Sequence, residues 1–117
     1  MILHICAEGD WQRALIDGQL HPASLDELGF IHCSDPGTVH LPANRFYPGQ
    51  RDLLLLEVDP AALAGLVRWE AGVPPVPGGP WFPHVYGSLP VGAVVAVHPF
   101  PPQPAGEFVL PESLAVR

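Results

Sequence analysis

Two short stretches hold the residue types that do chemistry: FIHCSD at 30–35 and WFPHVYGSL at 81–89. Side chains alternate along a strand, so Phe30, His32 and Ser34 share one face while Ile31 and Cys33 share the other. The second stretch repeats the unit, with His84 two residues before Tyr86. Pro83 presses Phe82 toward an extended backbone, and Gly87 permits a bend or a close approach. A single strand histidine is commonly a core residue bonded to backbone. Two His-x-hydroxyl units, each ending an apolar segment, form a constellation that can accept, donate or relay a proton near neutral pH.

Other polar groups stand close by in the chain. The segment ANRFYPGQRD (43–52) gathers Asn44, Arg45, Tyr47, Arg51 and Asp52. It reads either as a solvated turn or as a loop offering an aromatic face and a guanidinium to a planar, phosphorylated ligand. Glu70, in RWE, is either a surface carboxylate or a group that holds a ribose hydroxyl or steadies oxocarbenium-like charge. No metal is expected, because neither a Cys-x-x-Cys nor a His-Glu-x-x-His spacing occurs. Cys33 faces away from His32, so no thiolate–imidazole pair follows. There is no P-loop and no Gly-x-Gly-x-x-Gly, which removes a Rossmann-type site.

The elements that must position these groups are short. Residues 1–7 read as a buried strand. A helix follows over 11–17, with Asp10 as N-cap and Gly18 just past its end. One turn of helix is expected before a strand at 30–34. Ser34 or Asp35 with Pro36 opens a helix that Pro42 keeps short, kinked or split. DLLLLEVD (52–59) is apolar on both faces and therefore a central strand, and Asp59-Pro60 starts a brief helix. Strands are expected at 66–72, 91–100 and 107–111, and VPPVPGGP (73–80) is a loop placed to act as a lid. With strands outnumbering helices, the fold class is a small α+β domain on a strongly bent, mostly antiparallel, split barrel-like sheet, one domain over 1–117 with its core at about 1–111.

Bulk properties narrow the function classes. At 48% hydrophobic residues the 117-residue chain can fold, while 16 prolines and 12 glycines demand much irregular backbone. The formal charge of −7, with five arginines and no lysine, opposes broad nucleic-acid binding but leaves room for a local anion site. The N-terminus lacks a basic signal region, no apolar run reaches bilayer length, and two unpaired cysteines suit a reducing compartment. A cytoplasmic protein with no membrane partner is expected.

FIHCSDP, ANRFYPGQRDLLLLEVDP, RWE, FPHVYGSLPVGAVVAV and the closing GEFVLP together resemble the family known as domain of unknown function 952, in order along nearly the whole chain. The chain departs from it at Pro42 and in the enlarged 73–80 loop. The resemblance implies a fold like that of the ADP-ribosyltransferases, which is also that of the NAD-consuming RNA 2′-phosphotransferases. It thereby implies NAD, or an ADP-ribose-type nucleotide, as the small ligand. By motif, His32 would hold the ribose beside the nicotinamide with Ser34 assisting. Tyr47 or Tyr86 would stack on the ring, and His84 or Glu70 would complete the catalytic set. Asn44 and Arg51, or Arg45, would contact the rest of the nucleotide. Two further readings stand beside this one: a two-histidine phosphoesterase built on the paired units, and a non-catalytic ligand- or partner-binding domain.

Overall fold

The longest apolar run organises the molecule. In the computed structural model, which describes residues 1–115, β4 (Leu53–Val58) lies between β1 (Ile2–Ala7) and β8 (Val94–Pro99) in an antiparallel sheet of order β1-β4-β8. Leu55, Leu56 and Val58 are fully buried, as a strand covered on both faces requires. Each such side chain contributes about 1.5–3 kcal/mol of burial. One core cluster joins Ile2, Cys6, Leu56 and Val58 to Trp11 and Ala14 of α1 (Glu8–Asp17). Leu3, Ile5, Leu53 and Leu55 belong to a second cluster with Phe100, Phe108 and Leu114, the last on α4 (Glu112–Ala115).

A second antiparallel sheet has the order β3-β6-β5, from Ile31–His32, Trp81–Val85 and Val67–Ala71. The two sheets are stitched by the short β3 segment. Cys33 still donates to the Pro83 carbonyl at 3.0 Å, but Ser34 already exchanges both backbone hydrogen bonds with Leu3 of β1, each at 2.7 Å. Between residues 33 and 34 the chain therefore leaves one sheet for the other, which splits and bends the β-structure. A third pairing, β2 (Gln19–Leu20) with β7 (Leu89–Pro90), closes one side. With a radius of gyration of 13.5 Å the described residues form one small α+β unit. Residues 116 and 117 of the expected domain lie outside the described residues.

Several expectations are met at the backbone level. Gly18 sits at φ 83°, a left-handed position that ends α1 and that residues other than glycine rarely take. Asp59 accepts from the Ala61 N–H and caps a 3-10 turn over Pro60–Leu63. The helix expected to open at Pro36 begins only at His40, after turns in which Thr38 N–H and Val39 N–H bond to the Asp35 carbonyl. Pro42 then falls in the first turn of α3 (His40–Phe46), where its missing N–H costs nothing, so the helix is short rather than broken.

Others are corrected. The first helix begins at Glu8, not Trp11, and Asp10 lies inside it rather than capping it, because its entry is fixed by Glu8 N–H bonding to the Asp52 carbonyl. The expected strand 91–100 starts with a 3-10 turn, Val91–Ala93. Residues 107–111 are not a strand: the Asn44 amide bonds both the N–H (2.7 Å) and the carbonyl (3.0 Å) of Phe108, supplying in one side chain what a neighbouring strand would. The turn of helix before residue 30 is α2 (Ala23–Leu28).

Candidate functional site

The histidines meet where the two sheets diverge. Antiparallel pairing sets His32 directly opposite His84, and His84 opposite Arg68, so one face of the second sheet carries a row of three basic groups. The His32 and His84 rings lie edge-on with centroids 5.7 Å apart. Ile31, Val67 and Val85, on the opposite face, pack into the core. That division of the sheet into a polar and an apolar face is what the alternation in both motifs implies.

His84 is held from two directions. Its Nδ1 donates to Oε1 of Glu70 at 2.9 Å, and Phe30 stacks on its ring at 4.1 Å and 18°. Tyr86 Oη donates to the same Glu70 oxygen at 2.5 Å. These bonds, Tyr86's first and His84's second, hold the Glu70 carboxyl below its ordinary range. The same bond raises the Tyr86 hydroxyl, which keeps its proton. The Arg68 guanidinium lies 5.1 Å from the centre of the Tyr86 ring. With Nδ1–H committed to the Glu70 carboxylate, Nε2 is the nitrogen of His84 left for another partner. His84 is only 1% exposed and no group of the protein meets Nε2. Among the described residues no buried side-chain nitrogen or oxygen lacks a partner, so Nε2 opens into the space the residue lines.

That space is a cleft of about 1230 Å³, larger than the roughly 300–1,000 Å³ usual for a drug-sized ligand. His32, Ser34 and His84 form part of its lining, with Tyr47 and Arg45 at or just beyond the end of α3 and Arg13 from α1. Exposed apolar residues also line it, Leu41 and Phe46 of α3 and Val73 and Val76 of the proline-rich loop. Burial first, and then the neighbouring His84, push the His32 imidazole down, so it is neutral at neutral pH.

The residues singled out from sequence are distributed unevenly. His32, Ser34, Tyr47, His84 and Arg45 line the cleft. Glu70 and Tyr86 stand behind His84, acting on it through the shared hydrogen bonds. Asn44 is bound to Phe108 and Arg51 is exposed away from the cleft wall, so neither is brought to it. Cys6 and Cys33 are buried free thiols pushed up to about 12 by burial, which makes them poor nucleophiles. Among the described residues no cluster of three metal-ligating side chains occurs, and no helix is long and apolar enough to cross a membrane.

Three contributors were not singled out as site residues: Phe30, Arg13 and His4. Phe30 was legible as a same-face neighbour of His32. His4 lines the cleft from β1 and its Nδ1 donates to the His32 carbonyl at 2.7 Å. Its signal was a titratable residue in an otherwise apolar strand row, between Ile2 and Cys6.

Residues 5–97 match the family described as Protein of unknown function (DUF952). The chain belongs to this family. It is also similar to protein CC0527 from Caulobacter crescentus, a structural genomics target. The crystal structure of that protein superposes with a TM-score of 0.85 at 30% identity, covering 97% of each chain. Its solution NMR structure gives 0.81, also at 30% identity, over 99% of this chain and 97% of the other. No curated protein matches. The likeness to CC0527 extends over the elements that form the cleft of this chain.

Proposed function

We propose that the cleft binds a nucleotide of the NAD or ADP-ribose class and that His84, oriented by Glu70, acts there as a general base beside His32. The observation that carries this reading is the carboxylate-held imidazole whose second nitrogen opens into a cleft large enough for a dinucleotide. In NAD the bond that breaks joins the anomeric carbon to nicotinamide, which leaves as a neutral molecule with the bonding pair. The oxygen of an acceptor hydroxyl forms the new bond to that carbon. His84 Nε2 is suited to take the proton of an attacking hydroxyl, and the Glu70 carboxylate, held by two donors, steadies the imidazolium that results. His32 and Ser34 are suited to hold the ribose. Tyr47 lines the cleft and is free to meet a ring, whereas the Tyr86 hydroxyl is engaged by Glu70. Arg13 and Arg45 offer counter-charge for the pyrophosphate in a protein whose net charge is otherwise −7. The family resemblance to ADP-ribosyltransferases supports the same ligand class.

Calorimetric titration with NAD, ADP-ribose, nicotinamide and a 2′,3′-cyclic nucleotide tests this. Saturable binding of NAD or ADP-ribose, lost in His32→Ala, is the expected result; silence toward the first two at millimolar concentration overturns it.

One geometric fact favours a second reading. Two imidazoles 5.7 Å apart across paired strands resemble the base and acid of a two-histidine phosphoesterase. The lowered His32 weighs against it, since burial disfavours the imidazolium that a general acid of this kind requires. Cleavage of the cyclic nucleotide without NAD would establish it; ligand binding that survives loss of both histidines, without turnover, would instead mark a binding module.

A further inference from the structure

The floor of the cleft contains polar atoms that the protein itself never satisfies. His4 Nδ1 meets the His32 carbonyl at 2.7 Å. A carbonyl only accepts, so Nδ1 carries the proton and Nε2 of the neutral ring carries a lone pair. Burial holds the His4 ring neutral by pushing its imidazole down. His4 is 7% exposed and Ser34 4%, yet neither His4 Nε2 nor Ser34 Oγ has a protein partner. Both residues line the cleft, and no buried side-chain nitrogen or oxygen among the described residues lacks a bond, so these two atoms reach its interior. Leaving such groups unpaired in a largely buried site costs about 1–3 kcal/mol each unless a ligand or water answers them.

We propose that His4 is the specificity-determining acceptor of this site, receiving a hydroxyl of the ligand's ribose and rejecting a ribose that lacks that hydroxyl or carries phosphate on it. The inference rests on the nucleotide reading above. His4 Nε2 presents a lone pair, so an oxyanion placed against it meets an acceptor and no proton. An O–H group satisfies that acceptor, and Ser34 Oγ can both give and take beside it. Positive charge for a phosphate comes instead from Arg13 of α1 and Arg45 of α3, in a lining that also holds Asp10 and Asp17. The ligand is thereby oriented: sugar toward β1 and β3, phosphates toward α1 and α3. The histidine in an apolar strand, which packing alone does not explain, has its use here.

The test is calorimetry of ADP-ribose and of its mono-deoxygenated and mono-phosphorylated ribose analogues, on the wild type, His4→Asn and His4→Phe. Asparagine keeps a donor for the His32 carbonyl but has no atom at the Nε2 position; phenylalanine keeps the volume. In the wild type one deoxy analogue and its phosphorylated counterpart should bind about tenfold to a hundredfold more weakly than ADP-ribose. In both variants ADP-ribose should weaken by the same factor and the deoxy penalty should vanish. Variants that keep the full penalty overturn the inference while leaving the nucleotide reading intact. A wild type that binds none of the panel overturns the nucleotide reading and this inference with it. Side-chain nitrogen NMR of the unliganded wild type provides a check that needs neither variant nor ligand: His4 must show an unprotonated Nε2 at pH 7, and a protonated one overturns the proposal.

Discussion

The molecule contains two buried histidines paired with a glutamate, and they differ in one respect that separates function from framework. His84 gives Nδ1–H to Glu70 at 2.9 Å and keeps Nε2 for the cleft. His98 bonds Glu57 through Nε2 at 3.0 Å and Ser113 of α4 through Nδ1 at 2.9 Å, so both its nitrogens are spent. Solvent exposure does not tell them apart, since His98 at 8% is the more exposed ring and His84 is at 1%. What distinguishes them is the uncommitted nitrogen. The His98 pair ties the C-terminal helix to the central strand; the His84 pair orients a base toward a space.

Removing each ring should therefore fail in a different way. His84→Ala should lower any turnover in the cleft by about 10²–10⁴-fold, the usual worth of a positioned base, and kinetics on the substrate identified by titration would measure it. His98→Ala should leave that turnover unchanged and instead cost about 3 kcal/mol of stability in urea unfolding, because it strips a donor from a buried carboxylate. If the two variants behaved alike, the distinction drawn from the spare nitrogen would be lost.

A smaller effect is expected at Glu70. Its side chain is partly exposed, so Glu70→Gln should shift Tm by only a few degrees. The amide can turn a donor toward His84 Nδ1 and so reverse the tautomer, lowering kcat about tenfold to a hundredfold while KM changes little. A kcat left unchanged by Glu70→Gln would mark Glu70 as a surface residue.

The smallest effect is a pH dependence of stability. His4 and His32 are both lowered from an ordinary value of 6.5. The unfolded chain therefore takes up protons near that pH while the folded protein does not, and stability should fall as pH drops below about 6.5. Thermal melts between pH 5 and 7.5 should show this slope, and it should flatten in His4→Phe. A melting temperature that rose on acidification would contradict the neutral assignment of both rings.

Much of this arrangement was legible in the sequence, for reasons that can be named. Alternation in FIHCS and in FPHVY identified the faces on which His32 and His84 lie, because a strand repeats every two residues whatever surrounds it. The buried run at β4, the Asp59-Pro60 start and the Gly18 stop are local signals and appear where expected. The rest depends on distant partners. β2 and β7 are two residues long, too short to show a period. Asn44 reads as a loop residue until Phe108, 64 positions later, is laid against it. His4 looks like a strand residue of the core until the neighbouring carbonyl of His32 settles which nitrogen holds its proton. For Glu70 a direct role at the ribose or the anomeric centre was expected. The sequence does not show that it acts through an imidazole, because that is decided by register, here the pairing of β5 with β6.

The most direct measurement is side-chain nitrogen NMR of the six histidines during titration with ADP-ribose. The Nε2 resonance of His84 should move saturably, and both nitrogens of His98 should stay in place. A titration in which His84 is silent, or in which His98 responds and His84 does not, would contradict the assignment of the cleft as the working site.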